Sequence, residues 1–244
     1  MSKWKEAVVK RIEQRSPTVR SFWISLPDRE RLDFRPGQFL TLDLPISERR
    51  RERWRSYSIA SAPDDTNEAE LCIVQLPGGR GTRYLFEEAT VGTELLTKEP
   101  GGVFTLPDRP LDYDVVMICT GTGVAPFRSM LLQRLGRETR NFHLIFGCRT
   151  PADLLYREEL EGLARKHPNF TYTATLSREM PEDETPGFEV LPGYVHQVYE
   201  QAYATVRPDV KFYLCGWSQM VDEARDRLLK LGYAEEQIIL ELYG

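Results

Sequence analysis

The stretch Cys119-Thr120-Gly121-Thr122-Gly123-Val124-Ala125-Pro126 decides the fold of the second half of the chain. The continuous apolar run Val115–Cys119 is typical of a buried strand, and Phe127–Leu135 repeats apolar residues at helical spacing. The two glycines permit a tight turn, and the proline suits a first helical turn because its missing N–H costs nothing there. The stretch therefore predicts a strand, a turn and a helix in that order.

Strand-like and helix-like segments go on alternating from this stretch to the end of the chain. The predicted strands are His143–Phe146, Phe170–Leu176, Lys211–Cys215 and Ile238–Leu242, and the predicted helices are Asp153–Arg165, Tyr194–Ala204 and Gln219–Leu231. Such alternation is typical of βαβ units, in which helices cover both faces of a parallel sheet. The second half is therefore predicted to be an α/β domain with a parallel sheet.

The first half of the chain reads as β structure. Short apolar runs between proline and glycine turn signals predict strands at Ala7–Ile12, Val19–Leu26, Gln38–Leu44, Tyr57–Ala60 and Leu71–Leu76. This spacing favours an antiparallel barrel or a sandwich. One helix is predicted at Thr82–Glu88, after the glycine-rich Gly78-Gly79-Arg80-Gly81. The proline-rich stretch 107–110 marks a boundary, which gives domains at 1–108 and 109–244.

Composition excludes several classes of protein. The 244 residues carry a formal net charge of −5, so nucleic-acid binding has no electrostatic support. No apolar run approaches the ~20 residues that span a bilayer, and the charged start lacks the apolar core of a signal peptide. The four cysteines match no zinc or iron–sulfur spacing. We therefore expect a cytoplasmic monomer without a metal site or a membrane partner.

The glycine-rich turn also predicts a ligand. Glycines let the backbone approach a pyrophosphate, and the start of the following helix presents free N–H groups with a partial positive charge. Gly121, Thr122 and Gly123 are therefore candidates for binding a dinucleotide. The absence of a G-K-[ST] sequence argues against a nucleoside triphosphatase. A purely structural tight turn is the alternative.

A second candidate motif, Arg55-Ser56-Tyr57-Ser58, lies on a predicted strand of the first half. A tyrosine ring can stack on a planar isoalloxazine, a guanidinium can bind phosphate with two hydrogen bonds, and a hydroxyl can bond the polar edge of a flavin. Taken alone, the four residues are more typical of a half-buried strand. Their position among other motifs favours the flavin interpretation.

Four motifs occur in a fixed order: this tetrad, Gly81-Thr82 before a helix, the stretch 121–126, and Cys215-Gly216 before the last long helix. Over essentially the whole chain, this series resembles the ferredoxin–NADP reductase family. The resemblance implies an N-terminal FAD-binding antiparallel β-barrel and a C-terminal NAD(P)-binding α/β domain. It also implies hydride transfer between the nicotinamide and FAD, without a fused iron–sulfur domain.

The resemblance assigns FAD-binding roles within the first half. The residues implied to bind FAD are Arg55, Ser56, Tyr57, Ser58, Gly81 and Thr82. Arg55 would hold the pyrophosphate, Tyr57 would stack on the flavin, and Ser58 would hydrogen-bond near flavin N5. Thr82 would contact the phosphates while Gly81 allows close approach; a plain helix N-cap is the alternative for Thr82.

The resemblance also assigns residues to the pyridine nucleotide. They are Gly121, Thr122, Gly123, Arg149, Ser177, Arg178, Cys215, Gly216 and Met220. Cys215 would lie beside the nicotinamide, with a buried structural thiol as the alternative. Ser177 and Arg178 would recognise an adenosine 2′-phosphate, and Arg149 would stack on adenine or add charge; solvated loop positions are the alternative for both arginines. The acidic Glu179, Glu182, Asp183 and Glu184 oppose a phosphate there, so NADPH is favoured over NADH only modestly.

The reacting edge is predicted to hold Ser58, Cys215, Glu241 and Tyr243, the last as an aromatic that covers the flavin or, alternatively, packs on the barrel. Because the chain has no cluster spacing, electrons are expected to leave singly to a ferredoxin, a flavodoxin or an oxygenase component. The arginine-rich stretch 49–55 would steer an acidic partner or be a solvated loop. A free-flavin reductase and a flavin-binding subunit without turnover are the alternatives.

Overall fold

The computed structural model describes residues 4–181 and 189–243 of the chain, so Glu182, Asp183, Glu184 and Gly244 lie outside the described residues. The chain divides into two compact units. The first contains the chain up to Leu106 together with Ala125–Gln133, and the second contains Pro107–Val124 together with Arg134–Gly244. The predicted division at residue 108 differs from this one. It assigns Ala125–Gln133 to the second domain, whereas the structure groups this helical segment with the first unit.

The first unit is built on a closed antiparallel sheet. Its strands are β1 (Lys5–Ser16), β2 (Val19–Ser25), β3 (Phe39–Asp43), β4 (Trp54–Ser58), β5 (Glu68–Val74) and β6 (Glu94–Thr97), and helix α1 spans Arg80–Glu87. The strand order is β4-β3-β6-β1-β2-β5. The two edge strands approach each other through a bridge between Ile59 and Leu71 and a 2.7 Å bond from the Ala60 N–H to the Glu70 carbonyl. The predicted antiparallel barrel is confirmed.

Register decides which side chains of β4 face the interior of this barrel. Leu40 and Leu42 of β3 are fully buried in the core, and they pair with Tyr57 and Arg55 respectively. Because directly paired residues point to the same face of a sheet, Arg55 and Tyr57 share the core-facing side of β4. Ser56 points the opposite way, where its Oγ lies 2.9 Å from the Thr41 Oγ1.

The second unit contains a parallel sheet. Its strands are β7 (Asp114–Thr120), β8 (Phe142–Cys148), β9 (Phe170–Leu176), β10 (Glu189–Pro192), β11 (Val210–Trp217) and β12 (Ile238–Tyr243). Helices α3 (Arg157–Lys166), α4 (Val195–Ala202) and α5 (Ser218–Leu231) alternate with them, and α2 (Val124–Arg134) follows β7. Each described pair of neighbouring strands is parallel, so the predicted α/β domain is confirmed.

The strand order β10-β9-β8-β7-β11-β12 reverses direction at one point. From β7 the chain adds β8, β9 and β10 on one side and then returns to place β11 on the other side. In open α/β sheets ligands bind outside the carboxyl ends of the strands at such a switch point. The dinucleotide turn and Cys215-Gly216 end the two strands that meet there.

Within residues 4–181 and 189–243, every helix is too short or too polar to cross a bilayer. The same ranges contain no group of three or more His, Cys, Asp or Glu side chains arranged to hold a metal ion.

Candidate functional site

The tetrad in the first unit lies on β4, at one end of the strand order of the sheet. Strand β4 is an edge strand, and the Tyr57 hydroxyl is buried without a hydrogen-bond partner among the described residues. Burial raises the pKa of Tyr57 to about 12, with a smaller opposing effect from Arg55. The hydroxyl therefore stays protonated at neutral pH. A buried donor without a partner is costly, and a ligand with a polar edge would relieve that cost.

Arg55 and Gly81 are brought into contact at the start of helix α1. A Cβ atom placed on Gly81 would lie 3.0 Å from the Arg55 Cγ and 3.2 Å from its Nε. The Arg55 Nη1 donates to the carbonyls of Glu52 (3.0 Å) and Trp54 (2.7 Å), which holds the side chain in place. A guanidinium beside the first turn of a helix is the donor set that a pyrophosphate requires.

The Thr82 side chain hydrogen-bonds to the backbone of the turn that precedes α1. Its hydroxyl lies 3.1 Å from the Leu76 N–H, which donates to it, and 3.2 Å from the Gly79 carbonyl. The alternative interpretation of Thr82 as the N-cap is wrong, because Gly79 occupies that position. Contact between Thr82 and a phosphate stays a prediction. Ser56 lies on the face of β4 opposite Arg55 and Tyr57, and the buried Ser58 ends the strand.

In the second unit, the dinucleotide turn packs directly on strand β11. Gly121 adopts a left-handed φ of +54°, and a Cβ atom on Gly123 would lie 2.4 Å from the Cys215 carbonyl oxygen and 2.9 Å from the Gly216 Cα. The close contact between the two backbones explains why glycine occupies position 123. The turn is therefore fixed against β11 at the switch point. Thr122, between the two glycines, is buried.

Sequence reasoning missed Thr120, the last residue of β7. Its hydroxyl is buried without a partner among the described residues. A Cβ on Gly216, where φ is +142°, would lie 2.6 Å from that hydroxyl. The threonine side chain therefore occupies the space that Gly216 leaves at the carboxyl end of the sheet. The sequence signal that could have identified Thr120 is its position between the apolar run Val115–Cys119 and Gly121, the first glycine of the turn.

Cys215, Glu241 and Tyr243 come together where β11 and β12 end. Cys215 pairs with Glu241 in the parallel register, Tyr243 lies two positions further along β12, and its hydroxyl is buried. Burial, reinforced by the Glu241 charge, raises the pKa of Cys215 well above its ordinary value. The group is therefore a buried, neutral thiol that cannot act as a base at neutral pH. Met220 of α5 instead packs against the core of the unit.

The structure also brings together the three residues assigned to the adenosine phosphate. They follow β8 and β9, where the Arg178 N–H donates to the Arg149 carbonyl at 2.9 Å and the Ser177 N–H donates to the Cys148 carbonyl at 3.1 Å. Both arginine side chains are exposed. No ion pair to either guanidinium occurs among residues 4–181 and 189–243. The backbone segments that carry Arg149, Ser177 and Arg178 thus lie next to each other at this sheet edge.

Comparison with known proteins covers both units. The family model described as Oxidoreductase FAD-binding domain matches residues 6–106, and the one described as Oxidoreductase NAD-binding domain matches residues 117–226. Ferredoxin–NADP reductase B of Sorangium cellulosum is 34% identical over 98% of this chain and 97% of its own length.

Two further proteins show the same likeness. The phenol hydroxylase P5 protein of Acinetobacter pittii is 31% identical over 98% of this chain. The chain spans 65% of the length of that relative, less than two thirds. A ferredoxin NADP+ reductase from Neisseria gonorrhoeae, whose crystal structure has bound FAD and NADP, aligns with a TM-score of 0.78 and 27% identity over 99% of both chains.

Proposed function

The chain belongs to the ferredoxin–NADP reductase family, and on that basis we propose that it transfers a hydride between NADPH and FAD and passes single electrons to a separate carrier. The observation that supports this most strongly is the dinucleotide turn, which packs through Gly123 on Cys215-Gly216 at the switch point of the sheet. The flavin tetrad on the edge strand β4 supports the FAD half of the proposal.

Bound FAD would supply the redox chemistry, by accepting a hydride and releasing electrons one at a time. The protein's own residues would bind and orient. Arg55 and the first turn of α1 would hold one pyrophosphate, while Tyr57 would offer a ring face and a hydroxyl donor. Gly121 and Gly123 would let the backbone approach the other pyrophosphate. Orientation is the main rate contribution of such residues, because it replaces a bimolecular encounter by a preset geometry.

The proposed acceptor is a ferredoxin, in keeping with the name of the Sorangium relative, or a flavodoxin. An oxygenase component is the second candidate, favoured by the phenol hydroxylase relative. Arg49, Arg50 and Arg51 are exposed and precede the flavin tetrad, so an acidic partner would be attracted to this segment.

The acceptor is tested by reducing the purified holoprotein with NADPH under anaerobic conditions and offering ferredoxin, flavodoxin or free FMN in turn. We expect electron transfer to one of the two protein carriers and much slower reduction of free FMN. If free FMN is reduced fastest, the chain is a free-flavin reductase. If no acceptor is reduced although the flavin is, the acceptor proposal is wrong.

Tyr57→Ser should weaken FAD binding by about 10- to 100-fold. Loss of a stacked aromatic ring costs roughly 1–3 kcal/mol, and loss of the hydroxyl removes a donor that has no partner in the described chain. The FAD-to-protein ratio after gel filtration measures the effect. Tyr57→Phe is the matched control, because it keeps the ring and should lose only a small part of the affinity. An unchanged flavin content in Tyr57→Ser would exclude the stacking role.

Arg178→Ala should raise the KM for NADPH by about 10-fold or more and leave the KM for NADH nearly unchanged. A hydrogen bond from a guanidinium to a phosphate contributes about 1.5–3 kcal/mol, and NADH lacks the 2′-phosphate. Steady-state kinetics with both nucleotides measures the difference. Arg165→Ala, an exposed arginine on α3, is the control and should change neither KM. Equal effects on both nucleotides would remove the basis for the proposed NADPH preference.

A further inference from the structure

Trp217 is a large aromatic residue left half exposed beside the candidate nicotinamide site. It is the last residue of β11, two positions beyond Cys215, and its exposed fraction is 51%. Side chains two residues apart on a strand point to the same face. Trp217 therefore shares the face of the sheet on which Cys215 lies, at the carboxyl end where ligands of such sheets bind.

The neighbouring strand presents its side chains on the same face. Trp217 pairs with Tyr243, and Cys215 pairs with Glu241. The Tyr243 hydroxyl is buried, whereas the Trp217 side chain is half exposed. Of the two paired aromatics, the indole of Trp217 is the one that a ligand can reach.

The backbone that carries Trp217 is held in place from two sides. Gly123 touches the Cys215 carbonyl, and Thr120 occupies the space beside the left-handed Gly216. Trp217 itself is the N-cap residue of α5, with φ −60° and ψ 133°. The indole is therefore mounted on fixed backbone between a strand and a helix. A ligand that contacts it pays little in lost backbone freedom.

We propose that Trp217 is a specificity-determining residue whose indole packs against the nicotinamide half of the pyridine nucleotide. This inference rests on the proposed function. The planar indole favours a planar ring, such as the nicotinamide, as its partner. An oxidised nicotinamide also carries a positive charge, which the face of an indole attracts. Solvent exposure of so large an apolar side chain costs free energy in the unliganded protein, and the nicotinamide would cover it.

The test is calorimetric titration of the oxidised holoprotein with NADP+ and with 2′,5′-ADP, a fragment that lacks the nicotinamide. NAD+ and ADP are titrated in parallel. Trp217→Ala should raise the Kd for the complete dinucleotide about tenfold, in line with the usual contribution of one aromatic stack. The Kd for the fragment should not change. Trp217→Phe should recover most of the affinity, because it restores an aromatic face.

Trp23→Phe is the matched control, since Trp23 is buried under Arg11 and Arg15 on the barrel, and its Kd values should equal those of the wild type. The inference is overturned if Trp217→Ala binds the dinucleotide as tightly as the wild type, or if it loses the fragment and the dinucleotide equally. In both cases the proposed function stands. Failure of the wild type to bind either dinucleotide would instead overturn the proposed function together with the inference.

Discussion

Glu70→Gln should lower the free energy of unfolding by about 3–5 kcal/mol, the usual cost of leaving a buried charge without its partner. The Glu70 carboxylate is only 2% exposed. Its Oε1 accepts hydrogen bonds from the Ser21 Oγ at 2.6 Å and the Arg15 Nη2 at 3.1 Å, and its Oε2 lies 2.9 Å from the Arg128 Nη1. Two guanidinium groups thus bond to one carboxylate.

The effect should be large because Arg128 lies on α2, in the segment that belongs to the first unit. Its Nη1 also donates to the Ala60 carbonyl at 2.8 Å, and the neighbouring Ser129 donates to the Ser61 carbonyl. The carboxylate therefore helps to hold a helix on the barrel. A neutral amide can accept one of these bonds, but it carries no charge to balance Arg128, whose side chain is only 13% exposed.

Thermal and urea unfolding measure this prediction. For a chain of this size, a loss of 3–5 kcal/mol corresponds to a fall in Tm of roughly 6–20 °C. The control is Glu235→Gln, which breaks a 2.8 Å pair with Arg225 whose side chains are 56% and 37% exposed. Exposed pairs contribute about 0–1 kcal/mol. If Glu70→Gln destabilises the protein no more than Glu235→Gln does, the buried network has no special stabilising role.

Gly123→Ala should weaken NADP+ binding by about 100-fold or more while leaving the FAD content unchanged. The added methyl group would lie 2.4 Å from the Cys215 carbonyl oxygen and 2.8 Å from its carbon. Both atoms belong to backbone, so no side chain can rotate away, and the turn must move off β11. Displacing the N–H groups that cradle a pyrophosphate removes the anion site.

Calorimetric titration with NADP+ and the flavin absorbance of the same sample measure the two halves of this prediction separately. Gly162→Ala is the control, because a Cβ atom on this glycine of α3 would meet nothing within 4 Å. It should be neutral or stabilise the helix by up to about 1 kcal/mol. Binding of NADP+ by Gly123→Ala within threefold of the wild type would contradict the assignment of the turn.

The sequence predicted the strands that bury a regular set of apolar side chains. It missed β6 and β10, which have four residues each. Strand β10 has no buried residue, so it carries no period-two pattern, and it exists because it pairs with β9. Strand β6 inserts between β3 and β1. Pairing between segments distant along the chain leaves no local signal.

The helix predicted at Asp153–Arg165 begins later, at Arg157. Asp153 instead accepts from the Thr150 N–H and hydroxyl, and Tyr156 has a left-handed φ of 58° that interrupts any helix before it. Aspartate and threonine commonly form such local bonds in place of helix. The apolar periodicity located the helix, and the left-handed Tyr156, its N-cap residue, determines where it starts.

Within the candidate site, motif order located Arg55, Tyr57, Gly123 and Cys215, and the structure brings these residues to an edge strand and a switch point. Glu70 could not be found in the same way. Its partners Arg15, Ser21 and Arg128 are 55, 49 and 58 positions away along the chain. From the sequence alone, a glutamate beside an apolar run is expected to be exposed at the end of a strand, because glutamates are rarely buried unless they are paired.

The most direct measurement is the visible absorbance of the purified protein, reconstituted with FAD and then mixed anaerobically with NADPH or NADH. We predict a retained flavin with a band at about 450 nm that bleaches within seconds of adding at least one nucleotide, NADPH being the faster. A colourless protein that cannot be reconstituted with FAD would show that the barrel does not hold the cofactor. A retained flavin that neither nucleotide bleaches would show that the chain does not transfer hydride.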